Sequence, residues 1–176
     1  MYVRHHQLKR MKKLITYLAV VSFAGLAGAS LKPGDSLTPY EIQNCDTGKK
    51  YCQICAYSDK EAKILAFGKM TDEKFWADLK KLQALHAGFE GRGLGVFAQV
   101  IDSTDTKAIN KLAKEHGITF PVVVAAEKDW NEAYKVDGVS RTIYYAQKNR
   151  VAWTTVGLTD DGYSTLTAKV KKDAKS

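Results

Sequence analysis

Three short apolar runs, AKILAF at residues 62–67, GVFAQVI at 95–101 and ITFPVVVAAE at 118–127, are separated by two segments of helical spacing. Short apolar runs of this kind read as buried strands. The first helix is expected from Thr71-Asp72-Glu73, a capping hydroxyl followed by acids, with Phe75, Leu79, Leu82 and Phe89 on one stripe. The second is expected from Ser103-Thr104-Asp105, with Ile109, Leu112 and Ala113 inward and Gly117 closing it. Pro121 stands at the start of the third run, where a missing N–H is tolerated.

What flanks this βαβαβ unit completes the fold class. Before it, Tyr40 and Ile42 alternate with polar residues, and Asp46-Thr47-Gly48-Lys49 supplies a hairpin turn. After it, Asp129-x-x-Glu132 opens a short helix. Residues 142–146 and 151–156 then form a hairpin around Lys148-Asn149, and Asp160-Asp161 start a last helix carrying Tyr163, Leu166 and Val170. The expectation is an α/β fold: a central mixed sheet flanked by helices on both sides, with an N-terminal β-hairpin.

Not all of the chain belongs to that fold. Residues 1–13 carry Arg4, Lys9, Arg10, Lys12 and Lys13 and no acid; residues 14–28 are apolar; Ala27-Gly28-Ala29 is a small-x-small cleavage pattern. This order predicts a secretory signal peptide over 1–29 and one mature domain over 30–176, exported to the periplasm or secreted. The alternative, a membrane anchor, needs roughly 20 apolar residues, and the run is shorter. The leader holds five of the basic residues behind the +8 net charge, which leaves 22 basic against 19 acidic side chains, or +3. No basic stripe is interleaved with aromatics, so no nucleic-acid partner is expected, and no membrane partner after cleavage. Oligomeric state is not read from the sequence.

Specific segments resemble a known family. KPGDSLTPYEI is similar to the opening Pro-Gly-Asp-x-x-Pro-x-Phe segment of exported thioredoxin-like and peroxiredoxin-related proteins, with Tyr40 at the aromatic position. The stretch from Lys114 to Trp153 resembles the second half of those proteins, where Gly-Ile-x-Phe-Pro-Val precedes a short helix and a hairpin. The resemblance covers about residues 32–172 and implies a thioredoxin-like fold; a shared fold does not assign function. Two departures stand out. The family's redox Cys-x-x-Cys follows the first core strand, and here that slot is MTDEKF, residues 70–75, without a thiol. The family's cis-proline position is Ser140, where a trans bond is the default, since a cis bond at a non-proline residue costs about 3 kcal/mol. No catalytic residue of the family carries over.

The thiols stand elsewhere. Cys45, Cys52 and Cys55 lie in one short segment before the first core strand, and YCQICAY resembles a pattern in exported thioredoxin-like proteins. Three readings are open. Cys52 and Cys55 form a relocated redox dithiol, a thiol–disulfide oxidoreductase site serving a protein thiol or disulfide partner. In that reading Cys52 takes the partner and Cys45, folded back by the 46–49 turn, is a third thiol that can reshuffle the pair. Such a short loop staples little chain entropy, and Lys49 and Lys50 favour thiolate. Alternatively, a structural disulfide, Cys45–Cys52 or Cys52–Cys55, pins the hairpin to the core strand in a non-catalytic binding module, with one thiol left over. In the third reading all three thiolates bind Cu(I) or Zn. A c-type haem is excluded because Ala56 stands where Cys-x-x-Cys-His needs histidine; no cofactor is called for. His116, in the last turn of its helix, and His86, expected at the surface, are not assigned roles, and Phe75, Trp76, Trp130 and Trp153 are expected in packing.

Overall fold

The structure, a computed structural model, describes residues 30–128, 130–136 and 141–174. The leader expected at 1–29, the cap at Asp129 and the Ser140 position lie outside the described residues.

The elements follow the expected order, with two short additions, one of them a 3-10 turn at Glu90–Arg92. Strands β1 (Glu41–Asn44) and β2 (Lys50–Cys52) form the N-terminal hairpin and run into a four-residue helix α1 (Gln53–Ala56) that the sequence reading did not anticipate. Then come β3 (Ala62–Gly68), α2 (Glu73–Phe89), β4 (Leu94–Val100), α3 (Thr106–Glu115) and β5 (Val122–Ala125). The chain continues through α4 (Trp130–Tyr134), the hairpin β6 (Arg141–Gln147) and β7 (Arg150–Thr155), and α5 (Asp160–Asp173). The cap of α2 is Asp72, whose carboxylate accepts from the Lys74 N–H, rather than the Thr71 hydroxyl; Asp105 caps α3 in the same way.

Among the described residues seven strands form one mixed sheet in the order β2-β1-β5-β4-β3-β6-β7. The three apolar runs, β3, β4 and β5, lie parallel at its centre, and β1 and β6 flank them antiparallel. Every residue of β3 and β4 is buried, as continuous apolar runs covered on both faces should be. Successive side chains go to opposite faces, which divides the core in two. Ile64, Ala66, Val96, Ala98 and Val124 meet α2, α3 and α5 through Leu79, Leu82, Ile109, Leu166 and Val170. Leu65, Phe67, Phe97, Val123 and Ile42 meet the opposite layer, made by Ile54 of α1, Tyr134 of α4 and the segment holding Leu31, Leu37 and Tyr40.

Two residues sit differently from expectation. His86 is buried, 8% exposed, with its ring edge-on to Phe120. It falls on the Leu79–Leu82 stripe of α2, so helical geometry turns it inward. Lys63 of β3 is fully buried, and its Nζ donates to the carbonyls of Lys60 and Lys148, tying the loop before β3 to the β6–β7 turn. Among the described residues no helix is long and apolar enough to cross a membrane.

Candidate functional site

The slot after β3 is built without thiols. The Met70 N–H donates to Asp102 Oδ1 at 2.6 Å, and the Met70 carbonyl accepts from Trp76 Nε1 at 2.9 Å. Arg141 faces both Asp72 (3.8 Å) and Asp78 (3.6 Å). Asp78 is buried and also accepts from the Leu158 N–H. Burial holds its pKa above the usual carboxylate range, against the opposing pull of Arg141. This corner is a cross-braced junction of α2, β6 and the start of α5.

The cysteine pair occupies a different part of the same sheet. Cys52 ends β2 and caps α1; Cys55 lies in its single turn; and the two are joined as a disulfide, Cα–Cα 5.3 Å. The pair is therefore not misplaced relative to a strand. It follows a strand and opens a helical turn, but the strand is the edge strand of the hairpin rather than β3. Cys52 pairs with Glu41, whose carbonyl accepts from Ala126 just past the end of β5. Thus the disulfide stands at the level of the C-terminal end of β5. It is displaced sideways from the β3 slot by four strand spacings, about 19 Å.

Its immediate surroundings are asymmetric. Cys52 is half-buried and packs on the Ile54–Phe97 layer, and its Sγ accepts from the Cys55 backbone N–H at 3.2 Å. Cys55 is exposed. Between them Gln53 is fully buried, with neither amide atom in a hydrogen bond of normal geometry; its amide lies beside the Tyr57 hydroxyl, which is committed to the Val96 carbonyl at 3.0 Å. The Tyr57 ring rests on Gly95, where a Cβ would come within 2.8 Å of it. Burial, with Tyr51 nearby, pushes the Tyr57 hydroxyl up to about 12. Deeper in the same layer, Tyr40 donates its hydroxyl to buried Gln99. The Trp130 ring stacks on Phe67 and Tyr40, so this tryptophan is half-buried and packs against that core layer.

Cys45 is a free thiol, but the structure does not bring it to the pair. It sits at the turn end of β1, four residues from the partner of Cys52, or about 13 Å along the strand. It packs into the opposite core layer, with α2 and α3, and burial pushes its thiol up to about 12. The fold-back expected from the 46–49 turn exists, with Gly48 at φ +71°, but it aligns Lys49 rather than Cys52 with the Cys45 end. The three sulfurs therefore share no common point for one metal ion, and among the described residues no group of three or more His, Cys, Asp or Glu side chains could hold one. Sequence reasoning missed Gln53, Gln99 and the Tyr57–Gly95 seat. Of these, only an aromatic after the pair carried a signal.

Comparison with solved structures places this architecture. The chain is similar to the thioredoxin domain of a thiol-disulfide oxidoreductase from Bacteroides vulgatus, with a TM-score of 0.69 at 16% identity over 80% of this chain and 99% of that one. It is similar to a thiol:disulfide interchange protein from Bacteroides sp. (0.67, 17%, 81% and 93%) and to peroxidoxin BcpB from Mycobacterium tuberculosis (0.67, 14%, 83% and 99%). The chain has a thioredoxin-like fold. No protein-family model matches its sequence, and no curated protein matches it either.

Proposed function

We propose that this chain is an exported thiol–disulfide exchange protein whose working pair is Cys52–Cys55, acting on a thiol or disulfide of a protein partner. The observation that carries the reading is a four-residue disulfide on a thioredoxin-like sheet, with one half-cystine exposed and the other accepting a backbone N–H. A bond that closes so small a loop adds little chain-entropy stability, so stapling is a weak reason for it to exist. Similar folds in solved thiol–disulfide exchange proteins agree with a redox role. Export rests on the basic, apolar and small-residue order of residues 1–29, and an oxidising compartment suits the disulfide.

The test is catalysed exchange. The protein should accelerate disulfide formation in a reduced substrate protein in a glutathione buffer, and the double variant Cys52→Ala/Cys55→Ala should not. Equal rates for the two proteins, with both folded, would refute the reading. Intact mass of the protein from the cell envelope tests export; a retained Met1 or Met11 would contradict it.

A further inference from the structure

The two sulfurs of the pair are not equivalent. In the redox reading above, on which this inference rests, Cys52 was expected to take the partner. The geometry points to the opposite polarity: we propose that Cys55 carries the partner and that Cys52 is the leaving and resolving sulfur.

Two observations carry this. Thiol–disulfide exchange needs the attacking sulfur to approach one sulfur in line with the bond being broken, so access decides which sulfur is attacked. Cys55 is exposed, whereas Cys52 is half-buried against the apolar layer beneath α1. Second, the sulfur that departs takes the electron pair of the bond. The Cys55 N–H already points at Cys52 Sγ, 3.2 Å away. That contact is weak while the sulfur is neutral and strengthens as it becomes thiolate, so it stabilises the broken bond more than the intact one.

A partner dithiol loses a proton to solvent, and its thiolate attacks Cys55 Sγ. A partner–Cys55 disulfide forms, the Cys52–Cys55 bond breaks, and Cys52 Sγ leaves as thiolate. The partner's second thiol, deprotonated, then attacks the partner's own sulfur in the mixed disulfide. Cys55 is released as thiolate, and both protein thiolates take up protons. Two electrons pass from the partner dithiol to the protein disulfide. In the reverse direction Cys55 thiolate attacks a partner disulfide and Cys52 thiolate resolves the adduct. The partner is on Cys55 either way.

Single-cysteine variants and the wild type test this together, with glutathione as the probe. The Cys52→Ser variant should form a stable mixed disulfide with glutathione disulfide on Cys55. The Cys55→Ser variant should react at Cys52 roughly tenfold more slowly or less; circular dichroism checks that both are folded. Because substitution itself can loosen α1, oxidised wild type is also exposed briefly to reduced glutathione, acid-quenched and peptide-mapped, and the adduct should be on Cys55. An adduct on Cys52, or equal rates in the two variants, overturns the polarity while leaving the redox reading intact. A wild-type bond that glutathione never opens overturns both.

Discussion

The indole Nε1 of Trp76 donates to the carbonyl of Met70 at 2.9 Å, and the Met70 N–H donates to Asp102, so both polar backbone groups of Met70 are spent on bracing the turn between β3 and α2. This turn is where the resembling family carries its dithiol. Here it carries no thiol, and residues 70–75 are expected to act in stability alone. Met70→Ala keeps both backbone bonds and should leave thiol exchange unchanged. Asp72→Ala removes a helix cap and should cost about 1 kcal/mol of stability, again without loss of exchange beyond that. Exchange rates and urea denaturation of the two variants check this; a large activity loss in a folded variant would mean that the site lies at the β3 slot after all.

Gly95 is required by Tyr57. A methyl group at this position meets the ring at 2.8 Å, too close for ordinary packing. Gly95→Ala should displace the ring that seats the segment after α1 and cost about 1–3 kcal/mol. The loss should be accompanied by faster amide exchange through residues 53–57. An unchanged melting temperature would show that Tyr57 does not need this seat.

How much of this was legible beforehand differs by element. Strands β3, β4 and β5 were legible because both faces are buried and their runs are apolar, with Lys63 and Gln99 the single polar residues of β3 and β4. The helix α1 was not: four residues are too few for a period to show, and Cys52 is an unusual cap. The side of the sheet taken by Cys45 was within reach. Ile42 and Cys45 are three positions apart, an odd number, so in a continuing strand they face opposite ways. Likewise His86 lies four residues after Leu82, on the buried stripe, and its polarity masked that position. The Tyr57–Gly95 contact joins residues 38 apart in sequence, and no local pattern announces it.

His86 supplies a pH dependence. Burial holds its pKa below the ordinary 6.5, with Glu90, 3.5 Å from Nε2, pulling the other way. A depressed folded-state pKa means that the neutral ring favours the fold. Its contribution is fully present above pH 6.5 and is lost as pH falls through the folded value. His86→Leu should flatten the fall in stability below pH 6.5 relative to wild type, as measured by urea denaturation at several pH values. Parallel curves for the two proteins would contradict it.

Cys45 should be silent. Its burial and its pKa of about 12 leave almost no accessible thiolate at pH 8. Iodoacetamide should therefore leave the native oxidised protein unlabelled and modify one cysteine once urea unfolds it. Rapid native labelling at Cys45 would show that its core layer opens readily.

Whether Cys52–Cys55 is an exchange bond or a staple is decided by its reduction potential. The oxidised protein is equilibrated with glutathione or dithiothreitol buffers of defined potential, and free thiols are trapped and assigned by mass. Exchange catalysts lie near about −120 to −270 mV, and structural disulfides of secreted proteins below about −300 mV. The midpoint is expected in the first range, with Cys52 and Cys55 opening together and Cys45 unaffected. A bond still closed at about −300 mV would contradict this expectation.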